Sequence, residues 1–312
     1  MTGLMAATKL KELGVQSVLI DKGRSVGGRM ATRRIDSALF DHGAQFFTIR
    51  SETFRHHVTG WMKKGIVQEW CRGFTGDSAD GHPRYIGTTG MNNIAKFLSR
   101  DFTIILNERV LFLDYRNNKW QLLSDHENSY EGDGLILTPP VPQMISLIQS
   151  GNLREDRRFE AELEYINYDS CIALLALVDS PSPFPKPGAL KLSGEPIAWM
   201  ADNQIKGISA NGPAITIHAG PDFSRKYWEM DDKTITQNLM YIASDWVKTK
   251  FNTYQLKKWR FSQPRVVHEK RSVFFNDPLP IALAGDAFGG PRIEGAALSG
   301  LAAAEAIASS LR

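Results

Sequence analysis

The fold is decided by the stretch MTGLMAATKLKELGVQSVLID, residues 1–21, which predicts a helix, a turn and a strand. Gly14 follows the helical residues as a probable C-cap, where a positive φ is easiest. Residues 15–20 form a short apolar run that ends at Asp21, the pattern of a buried strand. This order of elements is the second half of a βαβ unit. Small and apolar side chains share one arc of the predicted helix: Gly3, Ala6, Ala7, Leu10 and Leu13.

A dinucleotide-binding βαβ unit begins with a strand, then Gly-x-Gly-x-x-Gly, then a helix whose N-terminus holds the pyrophosphate. Thr2 and Gly3 fit the end of that motif, and Asp21 stands where an acidic residue would bind the ribose hydroxyls. The first strand and the first two glycines are missing, so we expect the natural chain to begin about ten residues upstream of Met1. The alternative is that Met1 is the true start and the helix is simply N-terminal.

A second glycine motif follows in DKGRSVGGRM, residues 21–30. Residues 23–27 match the G-x-S-x-G nucleophile elbow, but the residues after them lack the apolar period of the helix that an elbow needs. Gly28 instead lets the backbone pass close to a cofactor, and Arg29 offers a cationic fork for pyrophosphate or flavin oxygens. The segment resembles the GGR segment of FAD oxidoreductases of the amine-oxidase and protoporphyrinogen-oxidase type.

The C-terminal stretch reads PLPIALAGDAFGGPRIEGAALSGLAAAEAIASSLR, which predicts a buried strand, a loop and a long helix that starts near Glu294. In FAD proteins of the class just named, a late Gly-Asp such as Gly285-Asp286 places a carboxylate near the ribityl or phosphate groups. The N-terminus of the following helix would stabilise negative charge on a reduced flavin. Taken alone, the same helix would equally suit ordinary packing of small residues.

The first and last segments therefore resemble parts of one dinucleotide domain, and the middle resembles an insertion. The expected fold class is α/β, with a Rossmann-like FAD-binding domain, N-terminally truncated, whose doubly wound parallel sheet carries an inserted α+β substrate domain. Helices are also predicted over residues 51–70 and 90–100. The predicted FAD-binding domain comprises residues 1–50, 85–140 and 265–312, and the predicted substrate domain comprises residues 51–84 and 141–264.

Composition excludes several classes of function. The net charge of +3 over 312 residues is too small to imply nucleic-acid binding, and no apolar run approaches the roughly 20 residues of a membrane helix. Cys71 and Cys171 suit unlinked thiols in a cytoplasmic protein, although a disulfide is possible. No Cys/His spacing resembles a metal site, and adjacent His56 and His57 would diverge on a helix. We therefore expect no metal.

Basic residues are most concentrated in KKWRFSQPRVVHEKR, residues 257–271, where they alternate with aromatic residues. A strand with solvated charges is the favoured interpretation. A nucleic-acid surface can show the same pattern. A third interpretation is a pocket wall that attracts a small substrate carrying phosphate.

With these motifs in order, the chain resembles the renalase family over its whole length. Besides the segments above, HGAQFFT, GTTGMNNIAKFL, LTPPVPQ, KWRFSQP and PRIEGAALSGLAAAEAI carry the resemblance. It implies a flavoprotein oxidase with non-covalent FAD, which takes hydride from the 2- or 6-dihydro isomers of NAD(P)H and is reoxidised by O2 to give H2O2. The FAD contacts that it implies are Thr2, Gly3, Asp21, Gly28, Arg29, Gln45, Phe46, Val110, Asp286, Ile293 and Glu294.

Hydride transfer needs alignment more than a protein acid or base, so no catalytic acid or base is expected. Candidates for positioning the substrate are Trp199, Tyr227, Trp228, Trp259, Phe288 and His218, although each taken singly suits core packing. Two other functions stay open. One is a different FAD-dependent, amine-oxidase-like oxidoreductase for amines or isoprenoid-type substrates. The other is a degenerate, non-catalytic protein, if the truncated start is real. The expected partners are a dinucleotide substrate and O2, with no nucleic acid and no membrane.

Overall fold

The computed structural model describes residues 1–74, 81–192 and 195–312, which form a mixed α/β fold as predicted. No helix in these three ranges is both long enough and apolar enough to cross a membrane. The helices are α1 (Thr2–Glu12), α2 (Glu52–Lys63), α3 (Asn92–Ser99), α4 (Val141–Ile148), α5 (Arg157–Leu163), α6 (Pro221–Tyr227), α7 (Asp232–Val247) and α8 (Ile293–Ser310).

The strands follow the same chain order. They are β1 (Val18–Asp21), β2 (Thr32–Ile35), β3 (Ala38–Asp41), β4 (Val67–Cys71), β5 (Arg84–Gly87), β6 (Thr103–Leu106), β7 (Val110–Arg116), β8 (Lys119–Ser124), β9 (Ser129–Gly132), β10 (Leu135–Leu137), β11 (Tyr168–Val178), β12 (Ala189–Lys191), β13 (Ile197–Asp202), β14 (Ala214–Ala219), β15 (Phe251–Pro264), β16 (Val273–Phe275) and β17 (Ile281–Leu283).

The chain divides into two compact units, each built from separate segments. Unit 1 comprises Met1–Gly28, Ala95–Tyr168 and Gln263–Arg312, and unit 2 comprises Arg29–Ile94 and Asp169–Ser262. These boundaries differ from the predicted domains, but compactness does not identify function, so the domain assignment stays a prediction. Residues 75–80 and 193–194, which belong to the predicted substrate domain, lie outside the described residues.

Unit 1 contains the parallel strand pairs that the sequence predicts. β1 pairs with β6, and β10 pairs with β17, which also pairs with antiparallel β16. An antiparallel meander, β7-β8-β9, completes its strands. β1 is less buried than predicted: Val18 is 58% exposed, because within the described residues β1 is bonded to β6 alone.

Helices α1 and α8 pack together through small side chains in unit 1. Ala6 and Leu10 of α1 share a buried cluster with Ala303 and Ala304 of α8. Gly300 allows the closest approach, since a Cβ built there would lie 2.2 Å from the carbonyl oxygen of Thr2. The predicted start of α8 is confirmed to within one residue, and Gly14 has the predicted positive φ, at 78°.

Unit 2 is an α+β arrangement around a five-stranded sheet in the order β12-β13-β14-β11-β15. Helices α6 and α7 cover one face of this sheet, and apolar residues such as Ile217, Phe223 and Leu239 form its core. The hairpins β2-β3 and β4-β5 belong to the same unit. The helix predicted over residues 51–70 ends earlier, at Lys63, because Gly65 turns the chain at a φ of 67° and β4 follows.

Candidate functional site

The N-terminus of α1 meets the requirements of an anion site. No side chain among the described residues caps this helix, and its first turn contains no acidic residue. The first backbone N–H groups of a helix have no partner within the helix, and they attract negative charge. Thr2 is buried, with Gly3 beside it, so the predicted phosphate-binding residues lie in this first turn.

Asp21 is the last residue of β1, and one of its two carboxylate oxygens accepts a hydrogen bond. Its Oδ1 accepts the backbone N–H of Gly23 at 2.7 Å, and its carbonyl accepts that of Glu108 at 3.1 Å. Its Oδ2 accepts no hydrogen bond within the described part of the chain. One carboxylate oxygen therefore remains to accept ribose hydroxyls, as predicted for this residue type at this position. Val110, the predicted contact two residues after Glu108, is half-buried at the start of β7.

Glu108 itself is the centre of a cluster that the sequence did not reveal. The buried carboxylate accepts from the hydroxyl of Ser124, from Asn128 at 2.8 Å, from Tyr130 at 2.9 Å and from the ring Nδ1 of His126 at 3.1 Å. These hydrogen bonds, that from Ser124 first, lower the pKa of Glu108 to about 2. The cluster joins the loop between β8 and β9 to the residues just before β7. All of its donors lie on β8, on β9 or in the loop between these strands.

The loop after β17 holds the predicted Gly285-Asp286 pair. Gly285 has a φ of 157° and donates its N–H to the buried hydroxyl of Ser299 at 2.9 Å. Half-buried Asp286 accepts from the hydroxyl of Tyr168 at 3.3 Å. The carboxylate is thereby held at the end of β17, in the position predicted for a contact with the cofactor.

This loop runs directly against the first turn of α8. A Cβ built on Gly295 would lie 2.3 Å from the carbonyl oxygen of Gly290, so only glycine allows this approach. Ile293 and Glu294 are buried in that first turn, and Arg292, the N-cap, makes no side-chain capping bond. The first turn of α8 already contains the buried acid Glu294, so this end, with small residues around it, suits a large planar cofactor better than an anion.

Arg29 of unit 2 follows Gly28, whose φ is 53°. Its Nη1 donates to the carbonyl oxygens of Phe261 at 3.3 Å and Ser262 at 3.4 Å. Its backbone carbonyl lies so close to Gly43 that a Cβ on Gly43 would be 1.9 Å away. The Arg29 guanidinium thus contacts β15, and its predicted role toward the cofactor stays a prediction.

The amide of Gln45 has a fixed orientation. Its Nε2 donates to the carbonyl oxygens of Asp41 at 2.7 Å and Gly43 at 3.1 Å. Carbonyl oxygens only accept, so the amide cannot be flipped. Its Oε1 is buried and has no partner among the described residues. Gln45 therefore presents a hydrogen-bond acceptor that the protein itself leaves unused.

Behind Gln45 lies a buried ion pair that sequence reasoning missed. Asp41 and Lys206 are both enclosed, and their Oδ2 and Nζ atoms are 2.9 Å apart. The other oxygen of Asp41 accepts from the Thr32 hydroxyl at 2.6 Å and from the N–H of Met91 at 2.8 Å. Burial lowers the pKa of Lys206, and the charge of Asp41 opposes that effect. Asp41 is therefore fully occupied by groups of the protein.

Four aromatic rings form a cluster beside this pair, which we call the aromatic cluster: Phe46, Trp70, Phe74 and Trp199. Phe46 lies 5.7 Å from Trp199 between ring centroids, and Lys206 lies 5.2 Å from the ring of Trp70. The indole of Trp70 donates to Pro187, whereas the buried Nε1 of Trp199 has no acceptor among the described residues. The structure thus places two predicted residues, Phe46 and Trp199, together.

His42, His218 and Trp259 form a second group in unit 2. Trp259 donates its indole N–H to the carbonyl of His42 at 2.8 Å and stacks on that ring at 5.3 Å. His218 lies on β14 opposite Trp199 of β13. Burial, above all, lowers the pKa of both histidines to about 4, so they are neutral at pH 7. Nδ1 of His42 and Nε2 of His218 are buried without partners in the described structure.

Three other predicted positioning residues pack within their own units. Phe288 is fully enclosed in the unit 1 core, 5.4 Å from the ring of His268. Tyr227 stacks on Phe223 at 4.3 Å, and Trp228 follows it in the core of unit 2. These contacts favour a packing role for all three, and no signal in the sequence separated them from Trp199.

Comparison with known proteins gives one consistent picture. The family model described as NAD(P)-binding Rossmann-like domain matches residues 1–64, and that described as flavin containing amine oxidoreductase matches residues 61–308. Renalase of Mus musculus is 25% identical over 237 residues, which cover 71% of this chain and 69% of that protein.

Solved structures extend the likeness in fold. A putative protoporphyrinogen oxidase from Exiguobacterium sp. 255-15 has a TM-score of 0.73 at 12% identity, covering 99% of this chain and 96% of that one. A triple mutant of putrescine oxidase has a TM-score of 0.71 at 14% identity, with the same coverage of 99% and 96%. At such low identity these likenesses show the fold alone.

Proposed function

The chain belongs to the family of flavin-containing amine oxidoreductases, and from that membership we propose that it oxidises dihydronicotinamide dinucleotides, the 2- or 6-dihydro isomers of NAD(P)H, with O2 as the final acceptor. Membership confirms the predicted enzyme class, an FAD-dependent oxidoreductase, and the predicted Rossmann-like fold and FAD cofactor. When bound, FAD supplies a hydride acceptor that protein side chains cannot replace. The similarity to mouse renalase supports the choice of substrate.

We propose that the residues of unit 1 hold the nucleotide part of FAD. The uncapped first turn of α1, with Thr2 and Gly3, suits the pyrophosphate, and the open oxygen of Asp21 suits the ribose. The remaining proposed contacts in that unit are Gly28, Val110, Asp286, Ile293 and Glu294. In unit 2, Arg29, Gln45 and Phe46 are the proposed contacts.

One observation carries the choice of a nicotinamide substrate. The buried Oε1 of Gln45 and the buried Nε1 of Trp199 are an unused acceptor and an unused donor. A carboxamide supplies the complementary pair, an NH2 that donates and a carbonyl that accepts. Burying such groups without partners costs free energy, so a ligand that satisfies them gains affinity. The aromatic cluster adds flat apolar faces for a planar ring.

The same region is less suited to an amine. An alkylammonium ion would need a carboxylate, but the buried carboxylate of Asp41 is already paired with Lys206 and hydrogen-bonded to Thr32 and Met91. The neutral histidines His42 and His218 offer no negative charge either. These contacts favour an uncharged ring over a cation as the group to be oxidised.

No residue has to move a proton in this proposal. A dihydronicotinamide loses hydride without prior deprotonation, so the task of the protein is alignment. Positive charge develops on the nicotinamide ring as the hydride leaves; because the guanidinium of Arg84 already lies 5.9 Å from the ring of Phe46, Trp199 is the proposed aromatic face that stabilises that charge. Neutral His42 and His218 would not oppose it, whereas protonated rings would.

The test is anaerobic reduction of the flavin in the FAD-loaded chain, followed by its absorbance. The 2- and 6-dihydro isomers should bleach the flavin within one turnover, and in air they should release H2O2 and NAD(P)+. Putrescine and benzylamine, used as amine probes, should not. Reduction by either amine with no reaction of the isomers would overturn the proposal. The Trp199→Phe variant keeps the ring and removes the donor, so it should raise the KM for the isomers about tenfold.

A further inference from the structure

We propose that unit 2 carries a phosphate-binding subsite formed by Arg33 of β2 and Lys257 of β15, which binds the phosphates of the substrate dinucleotide. The identity of the ligand rests on the proposed function. The subsite itself rests on contacts within unit 2, and it accounts for part of the basic, aromatic segment that the sequence singled out.

Alternation along β15 brings the components together. Side chains two residues apart point to the same face of a strand, so Gln255, Lys257 and Trp259 share one face, and all three are half-buried. Gln255 accepts from Nε of Arg33 at 3.2 Å, and Trp259 donates to the carbonyl of His42 at 2.8 Å. Lys257 therefore lies between a residue that contacts Arg33 and one that contacts His42.

Neither cation of this face has an anionic partner in the described parts of the chain. Arg33 donates to the neutral amide of Gln255, and Lys257 makes no hydrogen bond or ion pair there. The two charges act on each other: burial and then the charge of Arg33 lower the pKa of Lys257. Both also contribute, after burial, to the lowered pKa of His42. Like charges held together without a counter-charge destabilise a site until an anion occupies it.

The neighbouring cations of the same strands behave differently. Lys258 points to the opposite face of β15, where its Nζ lies 3.2 Å from Asp232 and donates to the carbonyl of Trp228 at 3.0 Å. Arg34 is on the face of β2 opposite to Arg33, although both arginines are exposed to solvent. The protein thus neutralises Lys258 and leaves Lys257 without a partner one residue earlier.

Phosphate is the ligand chemistry that this face fits. A guanidinium supplies a planar fork and an ammonium a point charge, the two usual partners of phosphate oxygens. The two unpaired charges would also repel an alkylammonium substrate, so the subsite selects for a dinucleotide and against an amine.

The first experiment titrates inorganic pyrophosphate into the FAD-loaded protein by calorimetry at low ionic strength, with FAD already occupying the cofactor's own phosphate site. Arg33→Gln and Lys257→Gln should each weaken pyrophosphate binding about tenfold, the loss expected for one charge-assisted hydrogen bond. The matched controls Arg34→Gln and Lys258→Gln should change it less than about twofold. Equal effects in all four variants, or none in the first two, would overturn the subsite.

The second experiment separates the subsite from the proposed function. Binding of NAD+ and of nicotinamide riboside, which lacks phosphate, is followed by the change in flavin absorbance. Lys257→Gln should weaken NAD+ binding about tenfold and leave the affinity for the riboside unchanged. Equal weakening of the binding of both ligands would contradict the proposed subsite. If pyrophosphate binding depends on Lys257 but neither dihydro isomer reduces the wild-type flavin, the subsite stands and the proposed function fails.

Discussion

The Glu108 cluster of unit 1 and the region around Gln45 and Trp199 in unit 2 are both buried and polar, but they differ in how their atoms are satisfied. Glu108 accepts from four side chains on the same meander or beside it. Gln45 and Trp199 each leave one buried polar atom without a partner in the described structure. A satisfied cluster stabilises the fold, whereas a ligand that supplies the missing partners of unsatisfied atoms gains affinity from them.

The tryptophans show the same contrast within one residue type. The indole N–H of Trp120 in unit 1 donates to Pro280 at 2.9 Å, and that of Trp70 in unit 2 donates to Pro187 at 3.1 Å. The Nε1 of Trp199 is buried and has no acceptor in the described residues. The comparison with Trp70 shows that the unsatisfied donor is a feature of the position of Trp199 and not of every tryptophan in unit 2.

The prediction with the largest expected effect asks whether the ion pair between Asp41 and Lys206 stabilises the fold. Lys206→Met leaves the buried carboxylate of Asp41 without its counter-charge, so it should lower the free energy of unfolding by about 3–5 kcal/mol. The double variant Asp41→Asn with Lys206→Met should recover most of that loss, because no buried charge remains. Urea denaturation measures both. A single variant as stable as the wild type would mean that the pair is not a structural element.

The next effect concerns two glycines in the middle of helices. Gly300→Ala places a Cβ 2.2 Å from the carbonyl of Thr2, so it should force α1 and α8 apart and cost about 1–3 kcal/mol of stability. Gly60 in α2 has no atom within 4 Å of the position of its Cβ, so Gly60→Ala should be neutral or stabilising. Thermal unfolding of the two variants side by side decides between a packing role and simple helix propensity.

A smaller effect compares the tryptophans directly. Trp120→Phe removes the hydrogen bond to the carbonyl of Pro280, which keeps its bond from the N–H of Leu135, and this loss should cost about 1 kcal/mol in addition to the lost ring volume. Trp199→Phe loses similar ring volume but breaks no hydrogen bond of the described protein, so it should destabilise by about 1 kcal/mol less than Trp120→Phe while substrate binding weakens. Equal losses of stability in both variants would erase the contrast between the two regions. Chemical denaturation and KM values provide the readouts.

The last prediction concerns a stabilisation that is lost in acid. The pKa of Glu108 is lowered to about 2 in the fold, against about 4.3 for an ordinary glutamate. Its stabilisation is therefore complete above the ordinary pKa and is lost as the pH falls toward 2. The difference in Tm between the wild type and Glu108→Gln should shrink between pH 5 and pH 2, since the amide does not titrate. A constant difference would show that Glu108 does not titrate with this shift.

Local patterns in the sequence predicted much of unit 1. The small-residue arcs of α1 and α8 and the glycine at residue 14 all depend on neighbours within a few positions, and the structure confirms them. The helix predicted over residues 51–70 was too long, because the chain turns at Gly65, where the backbone has a positive φ. A short-range pattern cannot weigh that turn against the strand β4 that follows it.

The candidate site depends on pairings over long distances, which explains what was missed. Asp41 and Lys206 are 165 residues apart, and nothing around Lys206 distinguishes it from a surface lysine. Likewise, Lys257 and Lys258 are equivalent in sequence until Asp232 is seen to neutralise only one of them. Gln45 and Phe46 were identified only because their segment resembles a known family, and their roles toward the flavin remain proposals.

The contact between Thr2 and Gly300 also limits when the newly made chain can complete the folding of unit 1. α1 begins at Thr2 and the helix that covers it begins at Ile293, so α1 is synthesised long before its packing partner. At about 5–20 residues per second, α1 spends on the order of 15–60 s without its partner. Ala6 and Leu10, which share a buried cluster with α8 in the finished protein, have no α8 to pack against during that time, whereas every segment of unit 2 has already been synthesised by residue 262. α1 therefore lacks its packing partner for most of the synthesis, and mutations in α8 should be seen first as a loss of yield.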